Sequence, residues 1–308
     1  MNNNNITNDP NMNRSAIPTK KLDLQFIYDV LGIPTFTGME DEMIDFIVNW
    51  AEAHNIKCER DHYGNVYLTK GEIEEGEYYP CVSAHLDAVH RHQKLMAVMG
   101  IPLTLKQRVT EKGHEIYAEE TGIGADDKAG VGIALSLFDH FDQLKACFFI
   151  EEEIGCIGSM NLDKDWFHNV GYVIGWDSPE RNRAAYACCG ELLFSKDFFE
   201  NIKEVCERNG LTNFYCEPFT DVEIIKRQTG IMCMNIGNGG YNPHQVSEYV
   251  VLEEMDEALV LGIELIRHLG KQRYAMPSKN FWLTENLDTA DEDIKYFSTF
   301  KDFFYSNR

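Results

Sequence analysis

The sequence lacks several features that would place it in a specialised class. No apolar run reaches the roughly 20 residues that a membrane-spanning helix requires. The nine cysteines are scattered apart from the neighbours Cys188 and Cys189, and they show no CxxC spacing. This distribution speaks against the disulfide framework of a small secreted domain and favours reduced thiols in a cytoplasm. We find no internal repeat and no glycine-rich phosphate loop.

Basic residues are also scarce. The 308-residue chain carries 28 Lys and Arg against 50 Asp and Glu, for a formal net charge of −22. A field of that sign repels phosphate backbones and anionic lipids, so we expect neither a nucleic-acid nor a membrane partner. Bound cations are one way in which part of the acid would be neutralised.

Composition divides the chain into three parts. Residues 1–20 are rich in asparagine and lack the apolar stretch of a signal peptide, which predicts a disordered leader. Residues 21–277 have the apolar content of one sizeable domain. Residues 278–308 form an acidic, aromatic-rich C-terminal tail.

The periodicity of apolar residues predicts alternating strands and helices. Helices are expected over 22–31, 40–54, 126–138, 198–208, 220–228 and 250–269. Strands are expected over 57–60, 65–69, 80–84, 103–110, 115–118, 146–150, 170–175, 213–216 and 231–236. Such alternation predicts an α/β fold, a mostly parallel mixed sheet sandwiched by helices, with a small β excursion around 94–118.

Residues that can bind metal fall at the ends of these elements. His85 ends one apolar strand, Glu152 and Glu153 follow another, and Asp177 follows a third. Asp126 opens a helix, and His244 follows a glycine-rich loop. Because ligands in open α/β sheets bind beyond the carboxyl ends of the strands, residues far apart in sequence are expected to meet at one rim.

Each of these signals has a simpler explanation when it is taken alone. His85 is readable as a strand-end histidine bonded to a nearby acid, and Asp126-Asp127 as a helix N-cap. Three consecutive glutamates are usually a solvated face, but these follow the apolar run 147–150, where solvent is not expected. The order of the signals and their shared position at strand ends favour a metal site.

At this point the sequence resembles the co-catalytic di-zinc peptidase superfamily, with the nearest likeness to tripeptidase T and to the glutamyl-aminopeptidase-like tetrahedral peptidases. The motifs that carry the resemblance are Ser83-Ala-His85-Leu-Asp87, Gly124-Ala-Asp126-Asp127-Lys128-Ala-Gly130, Glu151-Glu152-Glu153-Ile-Gly155, Asp177, Pro243-His244 and Glu248-Tyr-Val250. It extends over about residues 22–269. It implies the zinc-dependent exopeptidase fold, with residues 21–277 as a single catalytic domain.

The resemblance implies two divalent ions per chain, with Zn²⁺ expected and Co²⁺ or Mn²⁺ as alternatives. The implied ligands are His85, Asp126, Glu153, Asp177 and His244. Asp126 bridges the ions, Glu153 completes the site of one ion, and Asp177 completes that of the other. Two ions about 3.5–4 Å apart need such a carboxylate between them, and zinc favours imidazole with carboxylate.

Two further acids receive catalytic roles from the same resemblance. Glu152 is the implied general base, since a carboxylate beside the water that does not itself bind metal can take its proton. Asp87 is implied to accept a hydrogen bond from the second ring nitrogen of His85 and so to fix its tautomer. Asp127 is implied to shape the loop, through a cis peptide before it.

The chain departs from the family in its insertions. Residues 178–243 are too few for the separate lid domain of the tripeptidase-T-like members, and residues 86–125 leave room only for a reduced β insertion. Loss of the lid removes groups that would bind a free C-terminus, which favours an aminopeptidase. The family assembles through inserted domains, so a homo-oligomer is left open.

Substrate recognition is only weakly readable. Arg181 and Arg183 follow Asp177 closely and are candidates for binding an acidic or carboxylate-bearing substrate; the alternative is surface arginines that pair with the protein's own acid. Asp221 is a candidate for holding the site or a substrate amine, with a core or helix-capping role as its alternative.

The expected function is that of a cytoplasmic metal-dependent exopeptidase, an aminopeptidase or dipeptidase acting on small peptides. Two alternatives remain at this stage. One is an amidohydrolase that deacylates N-acyl amino acids with the same site. The other is a catalytically silent peptide-binding homologue, against which the presence of every ligand and of Glu152 argues.

Overall fold

A nine-stranded mixed sheet organises the fold in the computed structural model, which describes residues 22–276. The strands of the described residues are β1 (Lys57–Arg60), β2 (Val66–Lys70), β3 (Tyr79–His85), β4 (Leu105–Thr110), β5 (Gly113–Ala118), β6 (Leu144–Phe149), β7 (Val170–Ser178), β8 (Ala184–Cys188), β9 (Glu191–Leu192), β10 (Phe214–Glu217), β11 (Cys233–Gly237), β12 (Gly240–Tyr241) and β13 (Tyr249–Val251). The predicted leader (1–20) and tail (278–308) lie outside the described residues, and the domain boundaries stay predictions.

Helices cover the sheet. They are α1 (Leu24–Gly32), α2 (Asp41–Ala53), α3 (Arg91–Met99), α4 (Ala125–Leu137), α5 (Ile157–Met160), α6 (Lys196–Arg208), α7 (Asp221–Thr229) and α8 (Leu252–Leu269), with a short 3-10 helix at Trp166–Asn169. Within residues 22–276, no helix has both the length and the apolar character needed to cross a bilayer. All nine cysteines are free thiols.

The strand order in the large sheet is β1-β2-β6-β3-β7-β11-β8-β10, with β9 paired to β8. In the centre, β3 pairs in parallel with β6 and β7, and β11 pairs in parallel with β7. Antiparallel pairs lie toward the edges, as between β2 and β6 and between β8 and β11. The predicted α/β fold with a mostly parallel central sheet is therefore confirmed.

The core explains why the central strands read as uninterrupted apolar runs. Every residue of β3 and of β6 is buried, as expected for parallel strands that are covered on both faces. Nearly all of α4 is buried too, and it packs against β3 and β7. On its other side α4 packs against α1, and Gly132 permits this close approach, because a Cβ there would lie 2.8 Å from Cδ1 of Ile27 on α1.

The β excursion expected around 94–118 is present as the antiparallel pair β4–β5, which joins β13 and β12 in a second, four-stranded sheet. The excursion opens with α3, a helix that the sequence analysis did not predict. Gln93 is the buried residue of α3, while Leu95, Val98 and Met99 face solvent. The helix therefore lacks the apolar core-facing stripe on which prediction depends.

Candidate active site

The five predicted metal ligands meet at the carboxyl edge of the central sheet. Two groups of three side chains are each close enough to hold a metal ion, with their ligand atoms within 4.8 Å of one another. The first group is His85, Asp126 and Asp177, and the second is Asp126, Glu153 and His244. Asp126 belongs to both groups, which is the arrangement that a bridging carboxylate requires.

The first group is built on the ends of two neighbouring parallel strands. His85 is the last residue of β3 and is buried, and Asp177 lies near the end of β7. His85 Nε2 lies 2.9 Å from Asp126 Oδ1 and 3.3 Å from Asp177 Oδ1. Its other ring nitrogen, Nδ1, lies 3.4 Å from Asp87 Oδ1. The parallel pairing of β3 and β7 therefore brings His85 and Asp177 to the same edge of the sheet.

Two residues of the second group, Glu153 and His244, lie in loops. His244 Nε2 lies 3.1 Å from Asp126 Oδ2 and 3.0 Å from Glu153 Oε1. His244 follows β12 and adopts a positive φ of 64°, which is uncommon for a residue with a side chain. Its side chain is half-exposed, whereas His85 is buried, so the second group lies nearer to solvent.

Asp126 and Asp127 occupy an irregular start of α4. Both have non-helical backbone angles, and the peptide bond between them is cis. The fully buried Asp127 accepts hydrogen bonds from the backbone N–H groups of His85 (3.3 Å) and Gly130 (3.1 Å) and from the side chain of Asn238 (3.1 Å). Asp127 thereby ties β3, α4 and the loop after β11 together behind Asp126.

Asp87 holds the two neighbouring glutamates in place. Its Oδ1 accepts the backbone N–H of Glu152 at 2.9 Å, and its Oδ2 accepts that of Glu153 at 3.2 Å. The hydroxyl of Thr37 donates to Oδ2 at 2.7 Å. Asp87 therefore contacts His85 on one side and the glutamate turn on the other.

Glu152 lies outside both metal-type groups although it adjoins Glu153. Its side chain is buried, and the thiol of Cys156 donates to its Oε1 at 3.4 Å. The preceding Glu151 has a positive φ of 55° and accepts a hydrogen bond from the Tyr63 hydroxyl at 2.6 Å. Consecutive glutamates thus point in different directions, as their different predicted roles require.

Burial raises the pKa values of three acids of the site, Glu152, Glu153 and Asp177. It raises the pKa of Glu152 well above its usual range, and the nearby charge of Asp177 adds to that shift. Burial also raises the pKa of Glu153, and it raises that of Asp177 to about 7. A cluster of several acids with perturbed pKa values is a candidate functional site on physical grounds.

The pKa values of both histidines are raised, although burial alone would lower them. Burial alone lowers the pKa of His85, but hydrogen bonds to Asp126 and Asp177 outweigh it and raise the pKa well above the ordinary value. Hydrogen bonds to Asp126 and Glu153 raise the pKa of His244 to about 10. The site therefore carries more negative charge than its two imidazoles balance without additional protons. Divalent cations fit this excess, and the imidazole and carboxylate donors are those that zinc favours.

The three substrate-binding candidates lie in different surroundings. Arg181 Nε lies 2.7 Å from Glu257 Oε2 on α8, and the guanidinium also donates to the Asn209 carbonyl. This contact favours the alternative in which Arg181 pairs with the protein's own acid. The guanidinium carbon of Arg183 lies 4.1 Å from the ring centroid of Tyr215. Their substrate-binding role stays a prediction.

Asp221 opens α7 and is buried. Burial raises its pKa to about 7. The charges of His85 and Asp177 also act on it, which places it near the first group. A buried position agrees better with holding the site than with binding a substrate amine, and this role also stays a prediction.

Sequence reasoning assigned no supporting role to three buried or partly buried polar residues near the site: Thr37, His90 and Glu248. Thr37 lies in a turn-rich link, where threonine is ordinary. His90 precedes α3, which was not predicted. Glu248 had a usable signal, because it stands in one of the motifs on which the predicted resemblance rests, but the sequence does not reveal that its side chain is buried.

Comparison with known proteins finds similarity in sequence to a peptidase. No family profile matches the chain. The cytosol non-specific dipeptidase of Escherichia coli (strain K12) is 25% identical over 176 residues, which cover 54% of this chain and 35% of the dipeptidase. The chain thus spans about a third of the length of the curated relative it matches.

Similarity to solved structures shows the fold of this chain. The tripeptidase of Staphylococcus aureus matches with a TM-score of 0.65 and 14% identity, covering 82% of this chain and 100% of its own. The aminopeptidase PepT of Bacillus cereus gives 0.64 and 13%, covering 80% and 97%. The TET1 peptidase of Pyrococcus horikoshii gives 0.57 and 14%, covering 78% and 98%. The chain has the fold of these peptidases, and the resemblance predicted from the motifs is confirmed.

Proposed function

We propose that the protein is a metal-dependent exopeptidase, an aminopeptidase or dipeptidase that hydrolyses short peptides. The observation that carries the proposal is the pair of metal-type groups that share Asp126, with the buried acid Glu152 beside them but in neither. Similarity to a dipeptidase in sequence and to a tripeptidase and aminopeptidases in fold supports the same activity.

The site is proposed to hold two divalent ions, with Zn²⁺ expected and Co²⁺ or Mn²⁺ as alternatives. Asp126 would serve both ions, and the remaining ligands would be His85 and Asp177 for one ion and Glu153 and His244 for the other. When bound, two such ions lower the pKa of a water molecule toward about 7 and polarise a scissile carbonyl group.

The protein's own residues move the proton and orient the ligands. Glu152, as general base, takes a proton from the attacking water on a carboxylate oxygen and passes it to the nitrogen of the leaving amine. Asp87 fixes the direction of Glu152 through the backbone N–H that it accepts at 2.9 Å. Its 3.4 Å contact with His85 Nδ1 orients the imidazole in the same way.

The proposed cleavage end is the amino terminus of the peptide. Glu151, next to Glu152 in the sequence, has a partly buried carboxylate outside both groups, and a peptide's terminal ammonium carries the complementary charge. Tyr63 holds the Glu151 carboxylate in position through its hydroxyl group.

The protein is further proposed to act in the cytoplasm and to form a homo-oligomer. Nine free thiols and a relative named for the cytosol support the location. The TET1 peptidase of Pyrococcus horikoshii assembles into a tetrahedron or a large octahedral shell, and α3 of this chain exposes Leu95, Val98 and Met99.

The test is hydrolysis by the purified full chain of three substrate sets: dipeptides and tripeptides, aminoacyl amides, and N-acyl amino acids. The proposal predicts release of N-terminal amino acids, loss of that release after chelation, and recovery when Zn²⁺, Mn²⁺ or Co²⁺ is added back. Turnover of N-acyl amino acids without turnover of free peptides would assign the chain to the deacylases instead. Metal binding without any turnover would favour a peptide-binding role.

A further inference from the structure

The loop that presents Asp126 is held from behind by a buried carboxylate. Glu248, which precedes β13, is 1% exposed. Its Oε2 accepts the backbone N–H of Gly124 at 2.6 Å, and its Oε1 accepts the backbone N–H of Asp126 itself at 3.2 Å. One side chain therefore satisfies two backbone donors in the short segment that leads to the residue shared by both metal-type groups.

Glu248 also has a side-chain partner, and this partner comes from the excursion. His90 Nε2 lies 2.7 Å from Glu248 Oε2, and both side chains are buried. His90 is the N-cap residue of α3. A Cβ at Gly122 would overlap the His90 ring, so the loop packs directly on the imidazole. The start of α3 is thus connected to Asp126 through a single carboxylate.

A second contact from α3 holds the same loop. Gln93 Nε2 donates to the Gly122 carbonyl at 2.7 Å, and its Oε1 accepts the Lys128 ammonium at 2.8 Å. Lys128 also donates to the Ile123 carbonyl at 2.9 Å. The backbone from Gly122 to Asp126 is therefore bonded at several successive groups by buried side chains.

An ionised carboxylate is well suited to the position of Glu248. Its two oxygens together accept three hydrogen bonds here, which a neutral amide with a single acceptor oxygen cannot do. Buried backbone donors that lose their acceptor destabilise the fold, so the loop would move to find new partners. Any such movement displaces Asp126.

We infer that Glu248 is a positioning residue for Asp126 and that His90 extends this hold to helix α3. The inference rests on the proposed function, in which Asp126 is the ligand shared by both ions. It makes the geometry of the metal site depend on a helix of the excursion that carries no ligand itself.

The first test compares wild type with Glu248→Gln in the full chain. Metal affinity is measured with Zn²⁺ in chelator-buffered solutions, and the melting temperature is measured without metal. Loss of a support of this kind weakens metal binding by about 10–100-fold. We therefore expect a weaker Zn²⁺ affinity in a folded variant, with a lower kcat that excess Zn²⁺ partly restores and a KM that changes less than kcat.

A matched pair of histidines gives the second test and covers the case in which Glu248→Gln does not fold. His90→Ala removes one of the three hydrogen bonds, so the Zn²⁺ affinity should fall by a smaller factor, about threefold to tenfold. His92 lies two residues along, with a side chain that is 53% exposed and 4.0 Å from Glu120. His92→Ala should leave the affinity unchanged.

The outcomes separate the inference from the proposed function. If wild type binds Zn²⁺ and both variants bind it equally well, a lower melting temperature alone would mean that Glu248 and His90 only stabilise the fold, and the inference is wrong. An equal loss of affinity in His90→Ala and His92→Ala would also overturn it. Absence of Zn²⁺ binding by wild type would overturn the proposed function itself.

Discussion

Asp126 has a special position among the residues of the site. Its Oδ1 faces His85 at 2.9 Å and its Oδ2 faces His244 at 3.1 Å, so each carboxylate oxygen serves a different group. Although burial works in the opposite direction, hydrogen bonds from the two imidazoles lower the pKa of Asp126 below its usual range. The residue is therefore an ionised carboxylate in the setting that a shared ligand requires.

Glu152 is the residue on which the proposed chemistry depends. Replacing it with glutamine keeps the size and the contact with Cys156 but removes the proton acceptor. Since general-base catalysis contributes about 10²–10⁴-fold, we expect Glu152→Gln to lose turnover by that factor and to keep its metal content. Initial rates on a dipeptide and elemental analysis check both parts, with Glu42→Gln on the exposed side of α2 as control. Full activity in Glu152→Gln would rule out the assigned mechanism.

Glu40 gives a pH-dependent prediction away from the proposed ligands. Burial raises its pKa to about 7, although hydrogen bonds from the backbone N–H groups of Gly38 and Glu151 lower it. Between pH 4.5, the usual pKa of a glutamate, and about pH 7, the folded protein binds more protons than the unfolded chain, so this group's contribution to stability falls as the pH rises through that window.

The measurable consequence is a pH-dependent gain in Glu40→Gln, which keeps an acceptor oxygen but carries no charge. Relative to wild type, its free energy of unfolding should rise by about 2 kcal/mol between pH 4.5 and pH 7.5, after allowance for solvent screening. Urea unfolding at the two pH values measures this difference. A difference that is the same at both pH values would show that Glu40 is not shifted.

At the scale of single residues, the sequence predicted which side chains come together at the site, but not which side chains support them. His85, Glu153 and Asp177 were predictable because each follows an apolar strand, and parallel strands end at one edge. Thr37 and Glu248 approach from loops that come close only in the folded chain. No local pattern predicts a contact such as that of Glu248 with Gly124, across more than a hundred residues.

At the scale of secondary-structure elements, helix α8 packs closely against strand β7, and a substitution can test this contact. A Cβ on Gly262 of α8 would lie 2.6 Å from Cζ2 of Trp176, a fully buried ring. Alanine is favoured over glycine in helices by up to about 1 kcal/mol, but overpacking a core costs about 1–3 kcal/mol. Because the ring is rigid and fully buried, the packing cost should outweigh the helix preference.

Gly262→Ala should therefore lower the free energy of unfolding by about 1–2 kcal/mol. Because Trp176 directly precedes Asp177, the substitution should also weaken metal binding. Urea unfolding and Zn²⁺ titration measure the two effects, with Arg267→Ala on the exposed face of α8 as control. A variant as stable as wild type would mean that the contact between α8 and β7 relaxes at little cost.

The central strands were predictable from the sequence. β3, β6 and β7 appear in the sequence as apolar runs because helices cover both sides of them. β8 was missed because its alanines have low strand propensity, and α3 was missed because it has no apolar buried face. The pattern of apolar residues therefore located the central strands and the long helices that cover them, but not β8 and α3.

At the scale of the whole molecule, net charge and exposed apolar surface act in opposite directions. The chain carries a formal charge of −22, which disfavours association at low ionic strength. Exposed apolar side chains on α3 favour association, and one of them, Val98, is 68% exposed. The proposed homo-oligomer should therefore become more stable as salt screens the repulsion.

Light scattering coupled to size exclusion tests this expectation. We expect a mass that is a multiple of 35.4 kDa, a larger assembled fraction at high salt than at low salt, and a smaller assembled fraction in Val98→Lys. Thr110→Lys, on β4 and away from α3, is the control for the added charge. A mass of a single chain at every ionic strength would contradict the proposed assembly.

The most direct test of the central claim is the metal content of wild type and of Asp126→Asn, measured by elemental analysis after equilibration with Zn²⁺. The account predicts two Zn²⁺ ions per wild-type chain and a marked loss of both from the single substitution, because one residue serves both groups. One ion or none in wild type, or two ions retained by Asp126→Asn, would contradict a shared, Asp126-centred site.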